Sequence, residues 1–164
     1  MARAMDGTGT RTLAWAGGIA LAAILSLLLI RGPADASGIE LQPDDEGVVA
    51  LGEQVYADNC AACHGAALEG QPDWQSRGAD GLMPAPPHDP TGHTWHHDDG
   101  MLFALTKHGL AGVLGKDAPE SAMPAYEGVL TDAEIVAVLS FIKSTWPAEV
   151  RAVHDDINAR ATGR

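Results

Sequence analysis

The two cysteines of this sequence stand three positions apart, and a histidine directly follows the second, so that Cys60, Cys63 and His64 form a C-x-x-C-H motif. This spacing is the attachment signal for a c-type haem, in which two thiols add across the vinyl groups of the porphyrin. The adjacent histidine becomes an axial ligand of the iron. The motif therefore predicts one covalently bound haem c, with His64 as a ligand of its iron.

Two other interpretations of the cysteine pair are weaker. A thioredoxin-like redox pair would need a βαβ context, and half of a zinc site would need further cysteines. The sequence holds only these two cysteines. No segment alternates apolar and polar residues with the period of two that indicates a strand. Haem attachment is the interpretation that remains.

Length and charge limit the class of protein. A chain of 164 residues has room for one domain of roughly 100 residues and a targeting segment. The 22 Asp and Glu against 10 Lys and Arg give a formal charge of −12. This balance excludes a nucleic-acid partner held through its phosphates.

The first 36 residues are predicted to be a targeting segment. Residues 13–30 carry no charge, and as a helix they would measure about 27 Å, close to the roughly 30 Å of a bilayer core. Arg3 and Arg11 precede the run, which predicts a cytoplasmic N-terminus and an exported remainder. The run either stays as an anchor in the inner membrane or is cleaved after Ala36 to release a soluble periplasmic protein. We favour the anchor, because the run is longer than the about 7 to 15 residues of a signal core.

The chain beyond this segment predicts helices. Residues 37–45 lack apolar periodicity and predict a linker. A first helix is then indicated by apolar or small residues at helical spacing, namely Val48, Leu51, Gly52, Val55 and Tyr56. A middle helix is predicted to begin at Asp98 or Asp99 and to stop at Gly109. Its apolar face consists of Met101, Leu102 and Leu105.

The last predicted helix has the clearest boundaries. Thr131 and Glu134 form a capping box at its start. The pair Trp146-Pro147 closes it, since proline disfavours helical backbone in the residue before it. A long proline-rich segment separates the first helix from the middle one, and a segment of this length indicates that a ligand organises it.

Residues 46–147 resemble a class I monohaem cytochrome c. The resemblance rests on an amphipathic helix running into C-x-x-C-H, a proline-rich loop, the Met123-Pro124 loop and a capped last helix. It implies an all-α fold of three to four helices wrapped around the haem. Residues 148–164 are predicted to be a polar C-terminal extension. The resemblance also implies that Gly52 and Tyr56 face Phe141 where two helices cross.

Three methionines after the motif are candidates for the sixth iron ligand: Met83, Met101 and Met123. Met123 lies in a loop just before the last helix, and its Met-Pro-Ala-Tyr sequence is similar to the ligand loop of the family. Met123 is therefore the predicted ligand. Met101 fits the periodicity of the middle helix, and both Met101 and Met83 are predicted to serve packing.

The proline-rich loop is predicted to support the axial histidine. Such a histidine usually donates its other ring N–H to a carbonyl, which fixes its tautomer. By the resemblance, that carbonyl belongs to Pro86 or Pro87, and the sequence leaves the choice open. Trp95 is predicted to contact a haem propionate.

Four histidines lie within ten positions: His88, His93, His96 and His97. Together they could bind copper or zinc. The favoured interpretation is that they are solvated loop residues or contact the propionates, since the adjacent His96 and His97 point in different directions and Asp98 offers an ordinary helix cap. His108 and His154 are predicted to lie at the surface.

The resemblance implies an electron carrier and not an enzyme, because His64 and Met123 would fill both axial positions of the iron. The alternatives are a haem-bearing subunit of a larger membrane oxidase or dehydrogenase, and a haem-based sensor or enzyme if the sixth position is open. Redox protein partners are expected, and the acidic balance predicts that they carry a basic docking patch.

Overall fold

A computed structural model describes residues 38–163, and within them the only regular structure is helical. The described part contains, in chain order, α1 (Glu46–Asn59), α2 (Ala61–His64), a 3-10 turn (Thr94–His96), α3 (Asp99–Leu114), a second 3-10 turn (Gly115–Asp117), α4 (Asp132–Ser144) and α5 (Ala148–Ala161). The prediction of an all-α fold is confirmed for these residues.

The core forms where α1 crosses α4. A Cβ atom added at Gly52 would overlap the Ala137 carbonyl oxygen and would lie 2.8 Å from the Cβ of Phe141. Glycine at this position therefore allows the two helices to approach closely. The rings of Tyr56 and Phe141 meet at a centroid distance of 5.5 Å. The predicted crossing of α1 over Phe141 is confirmed.

The helix starts follow from short-range capping. The Asp45 carboxylate accepts hydrogen bonds from the first amides of α1, and the Asp98 carboxylate accepts one from the Met101 amide in α3. Thr131 and Glu134 form the predicted capping box of α4. Each cap satisfies amides that have no partner inside the helix, which is why these starts could be located from the sequence.

The apolar face of α3 differs from the prediction. Leu102, Phe103 and Thr106 are buried, whereas the predicted packing residue Met101 is 37 % exposed. Gly109, with φ of +70°, breaks the regular helix, but helical turns continue to Leu114. The predicted stop is therefore a kink, because glycine adopts positive φ without the clash of a Cβ atom.

Two other expectations are corrected at the ends of the described part. Leu41, placed in the linker by the sequence, is buried in the core, and its amide donates to Asp99. His154, expected at the surface, is 0 % exposed. Both errors have one cause, because each residue is buried by a segment distant in sequence. Leu41 contacts α3. α5 folds back so that the ring of His154 donates to the His97 carbonyl.

The predicted membrane-spanning run at 13–30 lies outside the described residues. Among the helices of residues 38–163, none combines the length and the apolar character needed to cross a bilayer.

Candidate functional site

The cysteines of the C-x-x-C-H motif lie at the junction of α1 and α2. Cys60 caps the C-terminal end of α1, where its amide donates to the Tyr56 carbonyl, and the next turn carries Cys63 and His64. Both cysteines are free thiols, Cys60 half-buried and Cys63 exposed. Burial, and secondarily the neighbouring Cys63, raise the pKa of Cys60 to about 11. One short turn thus presents both thiols.

His64 is buried, and one of its ring nitrogens has a fixed partner. Nδ1 lies 2.8 Å from the carbonyl oxygen of Pro86. Because a carbonyl can only accept, Nδ1 carries the proton and Nε2 keeps its lone pair. Burial lowers the pKa of His64, partly opposed by the hydrogen bond to Pro86. The side chain is therefore a neutral imidazole with its Nε2 set up as a metal ligand.

The close approach of the Pro86 carbonyl depends on Gly70. This glycine has φ of +69°, and a Cβ atom there would lie 2.7 Å from the carbonyl carbon of Pro86. Its amide donates to the His64 carbonyl at 2.8 Å. Pro87, the other proline left open by the sequence, directs its carbonyl oxygen at Gly92 instead. Pro86 is thus the residue of the two that reaches the imidazole.

His88 lies directly on the ring of His64. The two rings stack with centroids 4.0 Å apart and planes 23° apart. Burial, followed by the neighbouring His64 and His93, lowers the pKa of His88 to about 3, so this ring is also neutral. Its position in the sequence groups His88 with the other loop histidines. Nothing in the local sequence marks it, since its contact with His64 spans 24 positions.

Met123 lies in the loop of residues 118–130, here called the Met123 loop, and its side chain is 41 % exposed. Its amide donates to the Ser121 hydroxyl at 3.1 Å. Tyr126, three residues after the methionine, anchors the loop. Its amide donates to the Thr106 carbonyl and its hydroxyl donates to the Asn59 carbonyl. The Thr106 carbonyl is free to accept because Gly109 interrupts α3.

A cavity of about 560 Å³ adjoins Met123, and its walls include Leu82, Gly109 and Ala125. Among the predicted site residues, Met123 is the one that lines it. A second cavity, of about 710 Å³, lies between the segment 39–44 and α5 and is lined by none of the predicted site residues.

The remaining predicted residues have other contacts. The indole N–H of Trp95 donates to the Pro90 carbonyl at 3.3 Å, and its contact with a propionate stays a prediction. Met83 is exposed, although packing was predicted for it. Within residues 38–163, no group of three or more His, Cys, Asp or Glu side chains is arranged to hold a metal ion.

The donor set fits a c-type haem. Two free thiols lie within one turn of a neutral histidine whose Nδ1 is occupied and whose Nε2 makes no hydrogen bond to the described protein atoms. A zinc site would need more ligands than these side chains supply. Cys60, Cys63 and His64 are the residues that would hold the haem, and Met123 is the available thioether.

Comparison with known proteins agrees with this chemistry. The profile of the family described as cytochrome c matches residues 49–146, more than half of the chain. The chain therefore belongs to the cytochrome c family.

One curated relative is the CcoP subunit of a cbb3-type cytochrome c oxidase from Azospirillum sp. (strain B510). It is 35 % identical over 98 residues, which are 60 % of this chain and 29 % of the relative. The similarity thus spans less than a third of that protein. No solved structure matches the chain.

Proposed function

We propose that this chain transfers single electrons through one c-type haem bound to Cys60 and Cys63, with His64 and Met123 as the axial ligands. Bound there, the haem supplies an iron that alternates between the ferric and ferrous states. The observation that carries the proposal is the environment of His64. Its Nδ1 is committed to the Pro86 carbonyl at 2.8 Å, beside two free thiols.

The protein's own part is to hold the ligands. The hydrogen bond to Pro86 fixes the tautomer of His64 and makes its Nε2 a better ligand. The Met123 loop offers a thioether next to a cavity of about 560 Å³. A methionine as second ligand favours the reduced state. With His64 and Met123 both holding the iron, small molecules would have no iron site to occupy, and this favours a carrier over an enzyme or sensor.

Two substitutions test the ligand set. Met123→Ala should abolish the sulfur-to-iron charge-transfer band of the oxidised protein, lower its reduction potential and allow carbon monoxide to bind. The matched control is Met101→Ala, since Met101 is exposed to nearly the same extent, 37 % against 41 %. If Met101→Ala removes the band and Met123→Ala does not, the assignment of the Met123 loop is wrong.

Covalent attachment has a separate test. Haem staining should survive a denaturing gel at the mass of the chain, and Cys63→Ser should weaken or abolish it. Release of all haem from the wild-type protein into acidified organic solvent would refute attachment through Cys60 and Cys63.

The place of the electron transfer is the outer face of an inner membrane, with residues 13–30 as anchor. The similarity to an oxidase subunit supports a membrane-associated respiratory chain. The chain is then either a free carrier or a haem-bearing subunit of an oxidase. Alkaline washing should leave the protein in the membrane fraction, whereas mature protein beginning at Ser37 would show cleavage. Comigration with oxidase activity in detergent gel filtration would favour the subunit.

The proposed redox partner presents a basic patch. Four basic side chains of the described part are already paired with carboxylates, namely Lys107, Lys116, Lys143 and Arg151. The surplus of acidic groups therefore dominates the outer charge. Attraction between opposite charges requires the second-order rate of electron transfer to fall as salt is raised. A rate that is flat or rises with salt would remove this partner proposal alone.

A further inference from the structure

The ring of His64 has two kinds of protein contact, and they restrict different movements. The hydrogen bond from Nδ1 to Pro86 O, 2.8 Å long, holds one edge of the imidazole. A single hydrogen bond at an edge still permits the ring to turn about that direction. The face of the ring is covered by His88, stacked at a centroid distance of 4.0 Å. A flat partner on the face opposes that turning, because rotation would drive the two rings into each other.

His88 is itself held on all sides. Its Nδ1 lies 2.8 Å from the hydroxyl of Thr94, a buried residue of the 3-10 turn. Its backbone amide donates to the Leu68 carbonyl at 2.8 Å. Its carbonyl accepts from the indole of Trp146 at 2.8 Å, and Tyr56 meets the ring edge-on at 6.2 Å. Leu68 and Trp146 thus anchor the backbone of His88, and Thr94 and Tyr56 orient its ring.

We propose that His88 is a positioning residue that sets the plane of the axial imidazole of His64. The proposal rests on the proposed function in one respect, which is that His64 binds the iron. The plane of an axial imidazole determines which iron orbitals it overlaps, and so determines how unpaired spin is spread over the porphyrin. A residue that only filled space at position 88 could be replaced by leucine without consequence. A residue that sets a plane requires a flat ring and a contact that orients it.

Proton NMR of the oxidised, haem-loaded full chain measures this plane through the order and spread of the four haem-methyl resonances. His88→Leu should change that order, whereas His88→Phe should restore a pattern closer to wild type because it keeps a flat face. Thr94→Val should shift the pattern in the direction of His88→Leu, since it leaves the ring but removes its orienting hydrogen bond. Thr91→Val is the matched control for Thr94→Val, because Thr91 is an exposed threonine whose hydroxyl donates to Asp89, and it should leave the pattern unchanged.

The proposal is overturned if His88→Leu keeps the wild-type pattern, or if leucine and phenylalanine shift it equally. If neither His88 variant takes up haem, Thr94→Val decides, and an unchanged pattern overturns the proposal. Failure of the underlying function is recognised separately in the wild-type protein. Loss of covalent haem would remove the attachment assignment, and absence of the sulfur-to-iron band would remove Met123, with the role of His88 still measured by the methyl pattern.

Discussion

The surroundings of His64 and those of Met123 differ in how much protein holds them. His64 is buried, its ring edge is bound to Pro86 and its ring face is covered by His88. Met123 is 41 % exposed, and the hydrogen bonds that fix its loop belong to Tyr126, three residues later. The proposed histidine ligand is therefore preorganised by the fold, whereas the proposed methionine ligand would depend more on the iron to hold it. A preorganised ligand loses less conformational freedom when it binds.

The largest expected effect comes from a substitution that disturbs the surroundings of His64. Gly70→Ala places a Cβ atom at positive φ and 2.7 Å from the Pro86 carbonyl carbon. Overpacking and backbone strain together should cost about 3 kcal/mol of unfolding free energy. Urea unfolding of the haem-loaded protein, followed by circular dichroism, measures this cost.

The control for this change is Gly81→Ala. Gly81 also has positive φ, +82°, but a Cβ atom there meets nothing within 4 Å. Strain alone should cost about 1 to 2 kcal/mol. Equal losses of unfolding free energy in the two variants would show that the close contact between Gly70 and Pro86 does not hold the Pro86 carbonyl in place.

An intermediate effect comes from pH, through α5. Burial, and secondarily the nearby Lys143, lower the pKa of His154 in the folded protein, against the opposing influence of Asp99, the His97 carbonyl and Asp155. The unfolded chain keeps the ordinary pKa near 6.5 and therefore takes up this proton first as the pH falls. The stability contributed by neutral His154 is complete above pH 6.5 and decreases below it. Between pH 6.5 and 5 the loss is at most about 2 kcal/mol.

This loss should weaken the surroundings of His64 first. The rings of His154 and Trp146 lie 5.2 Å apart, and the Trp146 indole donates to the carbonyl of His88, the residue that covers His64. Urea midpoints at pH 7 and pH 5, compared between the wild type and His154→Gln, isolate the contribution. The variant should lose less stability on acidification. An identical loss would assign the pH dependence to other groups.

The smallest effects distinguish most clearly between the surroundings of His64 and those of Met123. Tyr126→Phe removes the hydroxyl bond to the Asn59 carbonyl, and Tyr56→Phe removes the matching bond to the Gly65 carbonyl beside His64. Each loss should cost about 1 kcal/mol. Only Tyr126→Phe should lower the temperature at which the sulfur-to-iron band disappears, since it loosens the Met123 loop. An equal decrease of this temperature in both variants would show that the surroundings of His64 and those of Met123 respond as one unit.

Much of this architecture could be predicted because its signals are local. The caps at Asp45, Asp98 and Thr131 act within three residues, and the starts of α1, α3 and α4 are predicted from them. The predictions of which helix face is buried were less accurate. Met101 shares the helical period of its neighbours but is exposed, because the packing partner of α3 decides which side of the helix is buried.

The sequence by itself determined the haem-attachment motif, the all-α class and the cytochrome c resemblance, since these depend on residue types at short spacing. The tertiary structure decided that Pro86 and not Pro87 reaches His64, that His88 covers its ring, and that His154 of α5 is buried against Trp146 and the His97 carbonyl. Each of these depends on segments far apart in the chain meeting in space. Their arrangement is fixed by close packing and by a glycine such as Gly70, and residue spacing does not reveal it.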